Sequence, residues 1–105
     1  HGPIALIDKD MAVVVVAPQD DVYEKTVSNL EEVRARGGQI ISIGSEGNEK
    51  LKDLSLHYLS LPKGRWGTNP ILSVIPLQLL SYHVSNALGH DVDQPRNLAK
   101  SVTVE

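Results

Sequence analysis

Four histidines, His1, His57, His83 and His90, are the side chains best suited to proton transfer or metal binding. Imidazole titrates near neutrality, so each could serve as an acid or a base. His83 and His90 are seven residues apart. On a helix that spacing gives a shared face but an axial separation of about 10.5 Å, too far for one metal ion. His90 with Asp91 and Asp93 is a weak ligand set, so no metal site and no cofactor are expected. Ser81, His83 and Asp91 spell a nucleophile triad on paper. Residues two apart on a helix do not face each other, so the triad is rejected.

Lys100 is the candidate nucleophile. An ordinary lysine, with a pKa of about 10.4, is protonated at pH 7 and cannot attack a carbonyl. Desolvation or a neighbouring cation would have to lower that pKa. A tail folded over a site could do so, whereas a solvated tail lysine would stay inert; composition does not choose between them. His1 carries the same ambiguity between a fraying end and an acid/base group. Gly44-Ser45-Glu46-Gly47 follows a predicted strand, where phosphate loops occur. Glu46 places a negative charge in that cradle and no P-loop lysine follows, so a plain turn is the better reading. Trp66, near Lys63 and Arg65, could be a binding platform; the expectation is that it covers the edge of the core.

The elements that must position these groups follow from breakers and periodicity. Met11 to Ala17 is a β-branched run closed by Pro18, which predicts a strand buried on both faces. Asp20 to Arg36 has helical spacing, with Tyr23, Val27, Leu30 and Val33 on one stripe. Asp21 and Glu24 have capping-box spacing, and Gly37-Gly38 supplies the stop. Gln39 to Ile43 predicts a second strand, Glu49 to Leu54 a short helix or turn, and Ser55 to Leu61 a third strand. Asn69-Pro70 then opens a helix expected to reach Leu88 and stop at Gly89. Pro76 should kink it. Its apolar first half predicts a sandwiched helix. This alternation implies an α/β fold, a three-layer Rossmann-like parallel sheet with right-handed crossovers. Three strands are thin for that fold, and further strands are expected outside the chain.

Composition narrows the function. The 105 residues allow one small domain. The chain has no cysteine, which excludes a disulfide scaffold and fits a cytoplasmic setting. A net charge of -3 argues against a nucleic-acid partner. The longest apolar stretch, Ile71 to Leu88, is broken by six polar residues, so no membrane span is expected. The chain opens on His1-Gly2-Pro3 and not methionine, as expected for a piece of something longer.

The segment from Asp91 to Glu105, D-V-D-Q-P-R-N-L-A-K-S-V-T-V-E, resembles the carboxyl-terminal tail of the glutamine–fructose-6-phosphate aminotransferases, also called glucosamine-6-phosphate synthases. His1 to Ile7, Glu31 to Gly38 and Pro76 to His83 fit the same family in order. Residues 45–68 carry no family motif. The resemblance implies residues 1–90 as a truncated second SIS (sugar isomerase) domain and residues 91–105 as an active-site tail. It implies a parent enzyme with an N-terminal glutaminase and an isomerase made of two such domains, which converts fructose 6-phosphate to glucosamine 6-phosphate. His1 then matches the histidine that assists ring opening, supplied across a homodimer. Lys100 matches the lysine that forms an imine with the open ketose. Ala99 lies in the backbone that lines the sugar site.

The family's proton-shuttling glutamate, phosphate loop and glutaminase cysteine all lie outside this chain, so the isolated chain is expected to be inactive and only marginally stable. A non-catalytic SIS module that binds a phosphosugar is the alternative, although a sensor has no need of an imine-forming lysine. A receiver-like interaction domain would need an acidic pocket at the strand ends, and Asp20 and Asp21 read instead as a helix cap.

Overall fold

A computed structural model describes residues 2–94. A 3₁₀ turn at Pro3–Leu6 leads into strand β1 (Ala12–Ala17), helix α1 (Tyr23–Ala35), strand β2 (Gln39–Ser45), helix α2 (Glu49–Asp53), strand β3 (His57–Leu61) and helix α3 (Asn69–Ala87). The strands form one parallel sheet in the order β1-β2-β3. The expected alternation and parallel pairing are therefore present. Among the described residues, those up to Ser73 form one compact unit and those from Val74 form another.

In the first unit, α1 packs on β1 and β2, and α2 on β2 and β3. Val13 pairs with Ile40, Val15 with Ser42, and Ser42 with Tyr58. These residues share one face of the sheet, since strand side chains alternate. On that face lies the core of Ala17, Tyr23, Val27, Leu30, Val33, Ile40 and Leu51, with Val13, Val15 and Tyr58 against it. All four residues of the predicted α1 stripe are buried. The opposite face is unevenly covered: Ile43 is buried, Val14, Val16 and Ile41 are half-buried and Leu59 is exposed. This corrects the expectation for β1. It lies at the edge of the described sheet and Val13 to Val16 are all half-buried, short of full burial on either face, so its valines reflect strand propensity as much as burial.

Hydroxyls are buried among these apolar groups. Ser42 is fully buried, and its hydroxyl lies 2.6 Å from that of Ser55, which also reaches the Leu51 carbonyl. Both are satisfied if Ser42 donates to Ser55 and Ser55 donates to Leu51. The Tyr23 hydroxyl donates to Asn48 Oδ1 at 3.0 Å, and the same oxygen accepts the Leu51 N–H at 3.1 Å as the N-cap of α2.

The helix ends differ in part from expectation. Gly37, at φ +87°, closes α1: its N–H reaches the Arg34 carbonyl, and the Gly38 N–H reaches that of Val33. This is a Schellman stop, and Gly89 ends α3 in the same way. The capping box is not formed. Asp20 Oδ1 accepts the Val22 N–H at 3.0 Å, and Val22 stands at the cap with no side-chain bond. The Asp20 turn uses up the residues before Tyr23, so α1 begins later than predicted.

Helix α3 runs unbroken through Pro76. Asn69 is its first residue, and the Leu72 N–H already bonds to the Thr68 carbonyl. Ser73 is its only buried residue among those described. Ile71, Ile75, Leu79, Leu80 and Val84 are exposed. The sandwiched helix is thus not observed. Its side chains are apolar around much of the circumference, more than a single packed stripe can bury.

Candidate functional site

His1, Ala99 and Lys100, the sequence-predicted site residues, lie outside the described residues. So do residues 95–105 of the predicted tail. Among the described residues, no group of three or more His, Cys, Asp or Glu side chains could hold a metal. His57 is exposed on β3. His83 packs edge-on against Tyr82, with ring centroids 5.3 Å apart. Asp91 Oδ1 accepts the N–H groups of Asp93 and Gln94 at 2.9 and 3.1 Å, so this acid shapes a turn.

The loop after β2 is occupied by the protein's own bonds. Ser45 Oγ accepts the Gln19 N–H at 3.0 Å, and the Glu46 N–H bonds to the Leu61 carbonyl at 2.7 Å. The Tyr58 hydroxyl donates to the Ser45 carbonyl, and Asn48 is engaged as above. Ser45 and Glu46 are thus spent on partners within the protein. Burial, and to a smaller extent Tyr23 and Glu49, holds the Tyr58 phenol above its ordinary pKa of 10.

The concave surface of the first unit lies beyond the carboxyl ends of the strands, where open α/β sheets bind ligands. A cavity of about 400 Å³ is lined by Gln19, Asp20, Asp21, Val22, Gly64, Trp66 and Asn69. A second, of about 280 Å³, shares Asp20, Trp66 and Asn69 and reaches inward to Val16 and Ser73. The loop at its rim is built. Thr68 Oγ1 accepts the Arg65 N–H at 2.8 Å, and the N–H groups of Thr68 and Asn69 both bond to the Arg65 carbonyl at 2.9 Å. A β-carbon at Gly64 would collide with the Asn69 side chain, so the amide can fold over the loop only because position 64 has none.

Trp66 is 91% exposed, which overturns its expected place over the core. Asp20 and Asp21, expected only as a cap, line the cavity, and neither carboxylate forms an ion pair among the described residues. The sequence signal for this cleft was the pair of acids straight after a strand together with a tryptophan in a Gly-rich turn. Their proximity depended on the order of the strands.

The SIS domain profile matches residues 1–87. The chain belongs to the SIS domain family. Its full length is 59% identical to "Glutamine--fructose-6-phosphate aminotransferase [isomerizing]" of Aquifex aeolicus, of which it covers 18%, and 56% identical to that of Thermus thermophilus, of which it covers 17%. The chain thus spans less than a fifth of the length of these relatives. A solved structure, the "C-terminal domain of glucosamine-fructose-6-phosphate aminotransferase from Francisella tularensis", is 47% identical and superposes with a TM-score of 0.81. That match covers 90% of this chain and 27% of the other. The truncated α/β SIS fold expected from the sequence is what these comparisons find.

Proposed function

We propose that this SIS chain is the carboxyl-terminal part of the isomerase region of a glutamine–fructose-6-phosphate aminotransferase. The observation that carries the reading is identity above 50% across all 105 residues to enzymes of that name. The parent enzyme would take the amide nitrogen of glutamine and deliver it to fructose 6-phosphate. In this reading the Lys100 amine attacks the carbonyl of the open ketose and water leaves, giving an imine. The imine makes the adjacent carbon more acidic, and a base outside this chain moves the proton. His1 assists ring opening in a neighbouring subunit, and backbone at Ala99 lines the sugar site. The working form is a cytoplasmic homodimer, with neither nucleic acid nor membrane as a partner.

Borohydride reduction of the intact enzyme with fructose 6-phosphate, followed by peptide mapping, tests this. The expected adduct is on Lys100 and disappears in Lys100→Arg. An adduct on another residue, or none, sinks the proposal.

A further inference from the structure

We propose that helix α3 is buried between two layers supplied by the stretch of the same polypeptide that precedes residue 1. The inference rests on the reading of this chain as the carboxyl-terminal part of a longer isomerase region. From Asn69 to Ala87 the helix carries no Asp, Glu, Lys or Arg. A helix that faces water has a charged or polar side, whereas one that is apolar on most sides belongs inside a larger core. Beyond Ser73 the large apolar residues of α3 fall into two stripes. At about 3.6 residues per turn, Ile75, Leu79 and Tyr82 share one side and Leu77, Leu80 and Val84 the other, roughly 170° apart. Only narrow flanks separate them, with Gln78, Ser81 and Ser85 on one and Pro76 and His83 on the other. All six apolar side chains are between 36% and 55% exposed. Two opposite stripes call for a partner on each side.

The competing occupants fit less well. A second copy related by a twofold axis sets one patch against the same patch, so it would cover one stripe and leave the other in water. A bilayer is a poor match, since among the described residues no helix is long and apolar enough to cross a membrane. A longer polypeptide can supply both layers. The chain covers under a fifth of its relatives and 27% of the solved domain it matches, so a parent of that kind has ample chain to enclose the helix. The missing charges agree with this, because the core of a packed interface is depleted of charged residues.

Hydroxyl-radical footprinting of the unmodified intact protein carrying this chain reads the side chains directly. Ile75, Leu79 and Tyr82 and, scored separately, Leu77, Leu80 and Val84 should oxidise at least fivefold more slowly than in the same protein unfolded in urea. Oxidation of either stripe at the unfolded rate overturns the proposal. To identify what covers the helix, p-benzoylphenylalanine replaces Leu79 or Leu80 in turn, and the irradiated protein is mapped by mass spectrometry. Both positions should join to peptides upstream of residue 1 in the same polypeptide, and to different peptides. An adduct of twice the subunit mass would identify a second copy, and one within residues 1–105 would identify the chain's own elements; either overturns the proposal. The footprint uses the parent sequence, so it decides the matter even where the bulky side chain prevents folding. The Lys100 adduct is scored apart from both. Its absence with both stripes protected would sink the functional reading and leave the burial of α3 standing, and its presence with either stripe exposed would do the reverse.

Discussion

Replacing Asn48 with alanine removes two things at once, and their sizes can be separated. Asn48 Oδ1 caps α2 by accepting the Leu51 N–H, and it also receives the Tyr23 hydroxyl, in a region where both side chains are buried. Loss of the cap costs about 1 kcal/mol. Loss of the hydroxyl's partner strands a buried donor, which costs roughly 1–3 kcal/mol. The single variant should therefore lose about 2–4 kcal/mol. With a urea slope of roughly 1–3 kcal/mol/M, its midpoint should fall by about 0.7–4 M. Tyr23→Phe removes the hydroxyl itself and leaves the cap in place. In that background Asn48→Ala should cost only the cap, about 1 kcal/mol. The cycle of four proteins, followed by far-UV circular dichroism in urea, should then return a coupling of about 1–3 kcal/mol. A coupling below about 0.5 kcal/mol, within the ordinary error of additivity, would show that α1 and α2 are not joined through this pair.

Two further outcomes are expected. The fold raises the Tyr58 pKa, so it favours the neutral phenol; that contribution is complete below the ordinary value near 10 and is lost as pH rises through the raised one. The stability advantage of the parent over Tyr58→Phe should accordingly shrink above pH 10 in urea melts, and an advantage that grows there would contradict the assignment. At Gly37 the nearest atoms to an added β-carbon are 3.6 Å away, so Gly37→Ala costs only the left-handed conformation, about 1–2 kcal/mol. D-alanine at the same position, introduced by chemical ligation, should melt at or above the parent temperature; a loss equal to that of L-alanine would point to crowding instead.

Residues with local consequences were legible in the sequence. Gly37-Gly38 ended α1 where expected, and the stripe of Tyr23, Val27, Leu30 and Val33 became the buried side of that helix. Each depends on neighbours within a turn or two. The order of elements followed from Pro18, Pro62 and the Gly-rich turns for the same reason. What was not legible depended on which strand lies at the edge. The valines of β1 read as doubly buried, yet all four are only half-buried. Trp66 read as a cover for the core because tryptophan is costly to expose. Its exposure follows from the hydrogen bonds of the turn that holds it, which no periodicity encodes. The family was legible from the tail and the opening residues, and the comparisons agree with it.

The hydroxyl pair of Ser42 and Ser55 has a further consequence for how the chain finds its fold. Sliding β2 by a single residue would turn Ser42 to the opposite face and bring Ile41 or Ile43 under α2. The isoleucine would suit the apolar surroundings, but Ser55 would lose the hydroxyl that donates to it, and Ser42 would have to find water or another partner. An all-aliphatic β2 would accept either alignment almost equally well. The two serines thus act as an alignment key: they add little to the depth of the native well and raise the energy of its nearest misaligned rival, which matters most for a small sheet with few strands to hold it in place.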